Sequence, residues 1–193
     1  MDAPALIASL AALVPGVPLE PGPDTDQPTI HVPADQLVDV VRALGETIDL
    51  GFTFLADVTA VDWWPKEPRF EVVYHLASIE QASRLRVKVR VSGSAARVPT
   101  LKGLWPSADW LEREVWDLFG IVFDGHGDLR RLLMPDDWEG HPLRKDYPVQ
   151  VKVPVRTGEA LQVSEEQFRA NIEMDRQARG RETPGGRGPG MDG

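Results

Sequence analysis

The 193 residues are enough for one domain with an appended tail, and 42% hydrophobic with 26% charged residues is an ordinary globular composition that excludes wholesale disorder and a coiled-coil rod. With no cysteine the chain has no disulfide, thiolate metal site, cysteine nucleophile or iron–sulfur cluster of its own, and its net charge of −9 argues against nonspecific binding to nucleic acid or to an anionic lipid surface. Glycine and proline, at 17 each, are about half as frequent again as usual, so loops and extended segments must occupy much of the chain.

Leu6, Ile7, Leu10 and Leu13 recur at helical spacing and predict a short helix over 4–13. Residues 15–33 hold six prolines and read as loop, with a short strand at 29–32. Pro33 then occupies a position that a first helical turn accepts, and Leu37, Val40, Val41, Leu44 and Ile48 predict an amphipathic helix over 34–49. From Phe52 the period changes to two. Phe52, Phe54, Ala56, Val58 and Ala60 form one face of a strand, and Phe70, Val72, Tyr74 and Leu76 form one face of a second. In a third strand Leu85, Val87, Val89 and Val91 alternate with Arg84, Arg86, Lys88 and Arg90, the pattern of a sheet covered on one side, after a turn at 80–83. No aromatic residues interleave with the basic ones, so this stripe is the wet side of a sheet, or docks an acidic partner, before it is a base-stacking face.

A helix is predicted over 108–119, capped by Ser107 or Asp109 and ended by Gly120. On it Trp110, Glu114, Leu118 and Ile121 are successive neighbours. Glu114 therefore projects from an otherwise apolar face and requires a cation, Arg130 or Arg131, in an internal Glu–Arg clamp. Arg113 and Asp117 read as a solvated i, i+4 pair. His126 and His141 lack the spacing of paired metal ligands, and Asp136, Asp137 and Glu139 follow Pro135 in a turn-rich stretch where carboxylates cap helices or face water. Gly125-His126-Gly127 and Ser92-Gly93-Ser94 lack the spacing of a dinucleotide loop or a hydrolase elbow. Beyond Tyr147, Val149, Val151, Val153 and Val155 mark an extended segment barred by Pro154 from a central strand. Ser164 with Gln167 opens a helix to about 178 with a thin apolar stripe of Phe168, Ile172 and Met174, and the glycine- and proline-rich end from about 180 is predicted to be disordered. The fold class is α+β in two layers, with helices packed on one mainly antiparallel or mixed sheet over 1–148 and an extended partner-docking tail over 149–193. No run approaches the roughly 20 apolar residues of a membrane span, and Met1-Asp2-Ala3-Pro4 lacks the basic start of a secretion signal.

Glu112-Arg113-Glu114, Asp117-Leu118-Phe119-Gly120-Ile121, His126, Asp128-Leu129-Arg130-Arg131 and Gly140-His141-Pro142-Leu143-Arg144-Lys145-Asp146-Tyr147-Pro148 resemble the signature of the 30 kDa subunit of respiratory complex I. Leu55 to Asp62 and Phe70 to Leu76 are similar to that family as well, so the resemblance spans about 35–150. It implies a non-catalytic, cofactor-free subunit in the peripheral arm of a proton-translocating NADH:quinone oxidoreductase, with FMN and iron–sulfur clusters on other chains. It also implies packing against the 49 kDa-type subunit and indirect attachment to the cytoplasmic face of the inner cell membrane. The signature residues, among them Phe119, Gly120, Asp128, Pro142, Lys145 and Pro148, are then interface or internal-clamp residues rather than an active site. Gly127 departs from the pattern, since a proline often follows the histidine. An equivalent subunit of a membrane-bound hydrogenase or related dehydrogenase complex is the alternative, and a free-standing hydrolase or metal enzyme using His126 and His141 is a third reading.

Overall fold

The computed structural model describes residues 3–23, 26–148 and 164–181. The chain divides into two units, Met1–Pro148 and Val149–Gly193.

In the first unit, helix α1 (Ala3–Leu13) precedes strands β1 (Glu20–Pro21) and β2 (Thr29–His31). A single 3-10 turn (Ala34–Gln36) then leads into helix α2 (Leu37–Glu46). Strands β3 (Phe54–Asp62), β4 (Phe70–Ser78) and β5 (Ser83–Val91) follow as a meander. The five strands form one mixed sheet in the order β1-β2-β5-β4-β3, antiparallel except where β2 runs parallel to β5. A parallel two-stranded ribbon of β6 (Arg97–Pro99) and β7 (Val122–Asp124) brackets helix α3 (Ala108–Phe119). The α+β architecture expected from the sequence is present.

One face of the sheet carries the core. Ile30, Val58, Phe70, Val72, Tyr74, Leu76, Leu85, Val87 and Val89 pack with Leu6 and Leu10 of α1, Leu37, Val40, Val41 and Leu44 of α2, and Val115 and Phe119 of α3. At roughly 25 cal/mol per Å² of apolar surface removed from water, this shared face is the main source of stability. On the opposite face Glu71 of β4 is 4% exposed and pairs with Lys88 (2.7 Å) and Arg90 (3.6 Å), so the basic stripe of β5 is partly neutralised within the sheet.

Two expectations give way. The helix read over 34–49 stops at Glu46, Thr47 turns extended, and Ile48 is 84% exposed. Leu50 and Phe52 fill the core instead, with Phe52 N–H donating to Leu44 O (3.0 Å). In β3 the apolar face does not run through Phe54 and Ala56, because the register slips between Leu55 and Asp57. Such a bulge reverses which residues point inward. Leu55 is buried and Phe54 is 51% exposed, while Val58 and Ala60 keep their places.

In the second unit the described residues contain helix α4 (Glu165–Arg181). Its N-terminus is the reciprocal capping box expected from the sequence: Gln167 N–H donates to Ser164 Oγ (3.2 Å), and Ser164 N–H donates to Gln167 Oε1 (3.1 Å). Phe168, Ile172 and Met174 are all exposed. The extended segment predicted over 149–155 lies outside the described residues, as does the end predicted to be disordered from about 180 except for its first residues, which continue α4 to Arg181. Among the described residues no helix is long and apolar enough to cross a membrane.

Candidate functional site

The segment from Leu129 to Tyr147 contains no regular helix or strand, yet two buried carboxylates and the C-terminus of α3 hold it in place. A helix leaves its last four carbonyls without intrahelical partners. In α3 each is taken. Trp116 O accepts from Gly120 N–H (2.8 Å), and Asp117 O accepts from Arg131 Nη1 (3.0 Å) and His141 Nδ1 (2.9 Å). Leu118 O accepts from Leu143 N–H (3.0 Å), and Phe119 O from Arg144 Nε (2.5 Å). Cations at this end also complement the helix dipole. Gly120 makes the approach possible. Its φ of +71° is left-handed, and a Cβ there would lie 2.4 Å from the His141 ring and 2.5 Å from Arg144 Nη2.

Asp117 is the first anchor. It is fully buried; Oδ1 accepts from Arg131 Nη1 (2.8 Å), and Oδ2 accepts the backbone N–H groups of Leu132 (3.0 Å), Leu133 (2.7 Å) and Met134 (2.9 Å). Burial pushes this carboxyl upward, but the Met134 amide, the Arg131 guanidinium and the other two amides outweigh it and bring the pKa down to about 2. Arg131 also donates to Trp138 O (2.7 Å) and Gly140 O (2.9 Å), tying the far end of the loop to the same point. Arg113 lies over Trp110, 4.9 Å from the ring centroid, and donates to Arg131 O (3.3 Å).

Asp62, at the end of β3, is the second anchor. Arg69 grips it with two bonds (Nε 3.0 Å, Nη2 2.8 Å), and the Trp64 and Lys145 amides add one each at 2.9 Å. Against the upward push of burial, Arg69 and these two amides bring this carboxyl to about 2 as well. Arg69 also bridges to Asp146 (Nη1 3.0 Å, Nη2 2.5 Å) and lies over Phe70, as Arg144 does.

Of the sequence-predicted residues, Asp117, Phe119, Gly120, Arg131, His141 and Arg144 are gathered around one helix end, with a different pairing. The expected Glu114 clamp is not formed: Arg131 is held by Asp117, three residues further along, and Arg130 makes an exposed pair with Asp128 (3.1 Å). Glu114 is only half-buried, whereas Glu112, Arg113 and Asp117 are buried, so Arg113 and Asp117 are not a solvated pair. The inward face of α3 runs through Ala108, Glu112, Val115 and Phe119 rather than through Trp110, which is 58% exposed. Neither Ser107 nor Asp109 caps the helix through its own side chain onto the backbone; Asp109 instead binds Lys102 Nζ (2.7 Å). His126 is buried, with Nε2 on Asp109 O (3.0 Å) and Nδ1 accepting the Asp128 N–H (3.2 Å). Both ring nitrogens are thus committed. Gly127 has φ +80°, a conformation closed to proline, so this turn is built for glycine. Pro142 is half-buried, Pro148 is exposed, and Asp136, Asp137 and Glu139 lie on the surface. Among the described residues no three His, Asp or Glu side chains are placed to hold a metal ion.

Sequence reasoning passed over Arg69 and Thr100. Arg69 could have been found from Asp62, an acid in phase with the inward residues of a strand and in need of a cation.

Residues 30–153 of this α+β chain match the family described as respiratory-chain NADH dehydrogenase, 30 Kd subunit. The chain belongs to that 30 kDa subunit family. It is 46% identical over 149 residues to the C subunit of the NADH-quinone oxidoreductase of Roseiflexus castenholzii (strain DSM 13941 / HLO8), covering 77% of this chain and 86% of the relative. It is 47% identical over 146 residues to the same subunit from Moorella thermoacetica (strain ATCC 39073 / JCM 9320), covering 76% and 95%. Among solved structures it resembles the trypsin-resistant fragment (1-134) of Nqo5, with TM-score 0.54, 36% identity and 67% of this chain and all of that one covered. It also resembles a chain of the membrane-bound sulfane sulfur reductase, an archaeal respiratory membrane complex, with TM-score 0.63, 32% identity and coverage of 76% and 85%.

Proposed function

We propose that this subunit of an NADH-quinone oxidoreductase acts by shape and contact within the peripheral arm, carrying no cofactor and performing no chemistry of its own. It docks on the 49 kDa-type subunit, while FMN and iron–sulfur clusters on other chains carry electrons from NADH to quinone. One observation carries the reading. The polar residues Asp117, Arg131, His141 and Arg144 of the signature segment, with Asp62 at the end of β3, are turned onto helix carbonyls, backbone amides and one another, which rigidifies a loop. A loop held this firmly before any partner arrives loses little entropy when it docks. Membrane attachment is through the complex, on the cytoplasmic side of the inner membrane.

The test is to purify the chain from membranes by an affinity tag. Co-purification with flavin- and iron–sulfur-bearing subunits, and absence of visible absorbance and stoichiometric metal from the separated chain, is the expected result; turnover by the separated chain would overturn it. The likeness to a chain of the sulfane sulfur reductase supports a second reading, the equivalent place in a related membrane-bound hydrogenase or dehydrogenase complex. Oxidation of NADH by the co-purified assembly selects the first reading, and its absence the second.

A further inference from the structure

Glu112 is fully buried, and among the described residues no cation touches it. Oε1 accepts the Leu101 N–H at 2.7 Å, and Oε2 meets the Thr100 hydroxyl. The groups around it come from three elements. Lys102, on the loop after β6, has its ammonium on Asp109. Asp109, one turn earlier on α3, adds negative charge. Tyr74, from β4, is enclosed with its hydroxyl lacking a hydrogen-bond partner among the described residues, so it gives the carboxylate no donor. An ionised carboxylate in such a place loses its hydration and gains only two neutral donors.

We propose that Glu112 is a proton-binding site of the folded chain, held as the neutral acid in mildly acidic medium, whose release of that proton to solvent in mildly alkaline medium draws the Leu101 amide and the Thr100 hydroxyl more tightly onto the carboxylate and so shifts the turn over 100–105. Burial raises the carboxyl to about 7, opposed by the Thr100 hydroxyl and the Leu101 amide. Relative to an ordinary glutamate this is a gain in proton affinity on the order of 300-fold. The turn depends on Leu101: Leu104 and Trp105 N–H both donate to Leu101 O (2.8 and 3.0 Å), and Trp105 Nε1 reaches Thr53 O (2.7 Å) ahead of β3. Charge appearing at Glu112 thus acts on the residue from which the turn hangs.

The experiment is a carboxyl-carbon NMR titration of the full chain, labelled at glutamate, with the Trp105 indole N–H followed in parallel. One glutamate should titrate near pH 7, with the Trp105 signal moving over the same range, and both changes should vanish in Glu112→Gln. Thr100→Val, which removes one donor to the ionised form, should raise the midpoint by about tenfold in proton affinity. If every glutamate of the unmutated chain titrates in the ordinary range, or if the midpoint near 7 is unmoved by Thr100→Val, the proposal fails.

Discussion

Asp117→Asn separates the anchor found in the structure from the Glu114 clamp expected from sequence. The Asp117 carboxylate accepts four hydrogen bonds, one from Arg131 and three from consecutive backbone amides, in a site closed to solvent. Asparagine keeps one oxygen and substitutes an amide NH₂ for the other. Whichever way it is turned, that NH₂ faces donors, so either the Arg131 guanidinium or the three amides lose their acceptor. Breaking a buried ion pair from one side costs about 3–5 kcal/mol. A second route gives a similar size: lowering the carboxyl from 3.8 to about 2 corresponds to about 2 kcal/mol of preference for the charged form. Either figure is a large fraction of a stability of about 5–15 kcal/mol. Urea unfolding of the full chain at pH 7, followed by tryptophan fluorescence, should show a loss in this range for Asp117→Asn and less than about 0.5 kcal/mol for Glu114→Gln. Equal losses in the two variants, or a loss under about 1 kcal/mol for Asp117→Asn, would refute the assignment of the anchor.

Asp62 and Asp117 both hold carboxyls near 2 in the folded chain against 3.8 ordinarily, so the stability they supply is complete above about pH 4 and disappears as pH falls through 2. The urea midpoint should therefore drop steeply between pH 4 and 2, and the drop should flatten in Asp62→Asn. Gly120→Ala should cost more than about 2 kcal/mol, because a left-handed φ and the close His141 ring act together, and the His141 ring signals should shift. Arg69→Met, which strips Asp62 of its buried partner, should cost about 3–5 kcal/mol, whereas Arg130→Ala, which removes only an exposed pair with Asp128, should cost under about 1 kcal/mol in the same denaturation series. Arg131→Glu should lower the amount of chain recovered with its partners from membranes, and normal recovery would detach the loop's geometry from assembly.

The sheet was legible wherever burial imposes an unbroken period. Leu85, Val87, Val89 and Val91 alternate as read because β5 is an interior strand with a neighbour on each side. The same rule failed in β3, an edge strand with one neighbour, where a bulge could reverse the alternation after Leu55 at the loss of a single set of ladder bonds. On α3 helical spacing gave the right element and the wrong face: Trp110, Glu114 and Leu118 do form a row, but the face turned inward is the one bearing Glu112, Val115 and Phe119. An apolar row with one acid looks more like a core face than a row with two acids and an arginine. That preference fails when the buried acids are satisfied by backbone amides, which no residue identity announces. Three of Asp117's four donors are main-chain N–H groups, and Arg131 and Arg144 each donate to main-chain carbonyls.

The same fact bears on what the loop can do. A segment held by side chain to side chain pairs would advertise its partners in sequence, and each pair could be exchanged for another. Here the Arg131, His141 and Arg144 side chains and the Leu143 amide donate to the carbonyls of one helix end, and amides of the loop itself donate to Asp117, so the position of residues 131–144 follows from where α3 stops. That end is set by Gly120, and the angle of α3 is set by Val115 and Phe119 in the sheet core. A shift of the core would therefore move the loop as a body and leave its internal bonds intact. The exposed side chains it carries, Leu133 and Leu143, are presented on a frame referred to the sheet rather than to a flexible tether. On the proposed role by contact, this makes the packing of β3 against α3 as important to assembly as any residue on the outer surface.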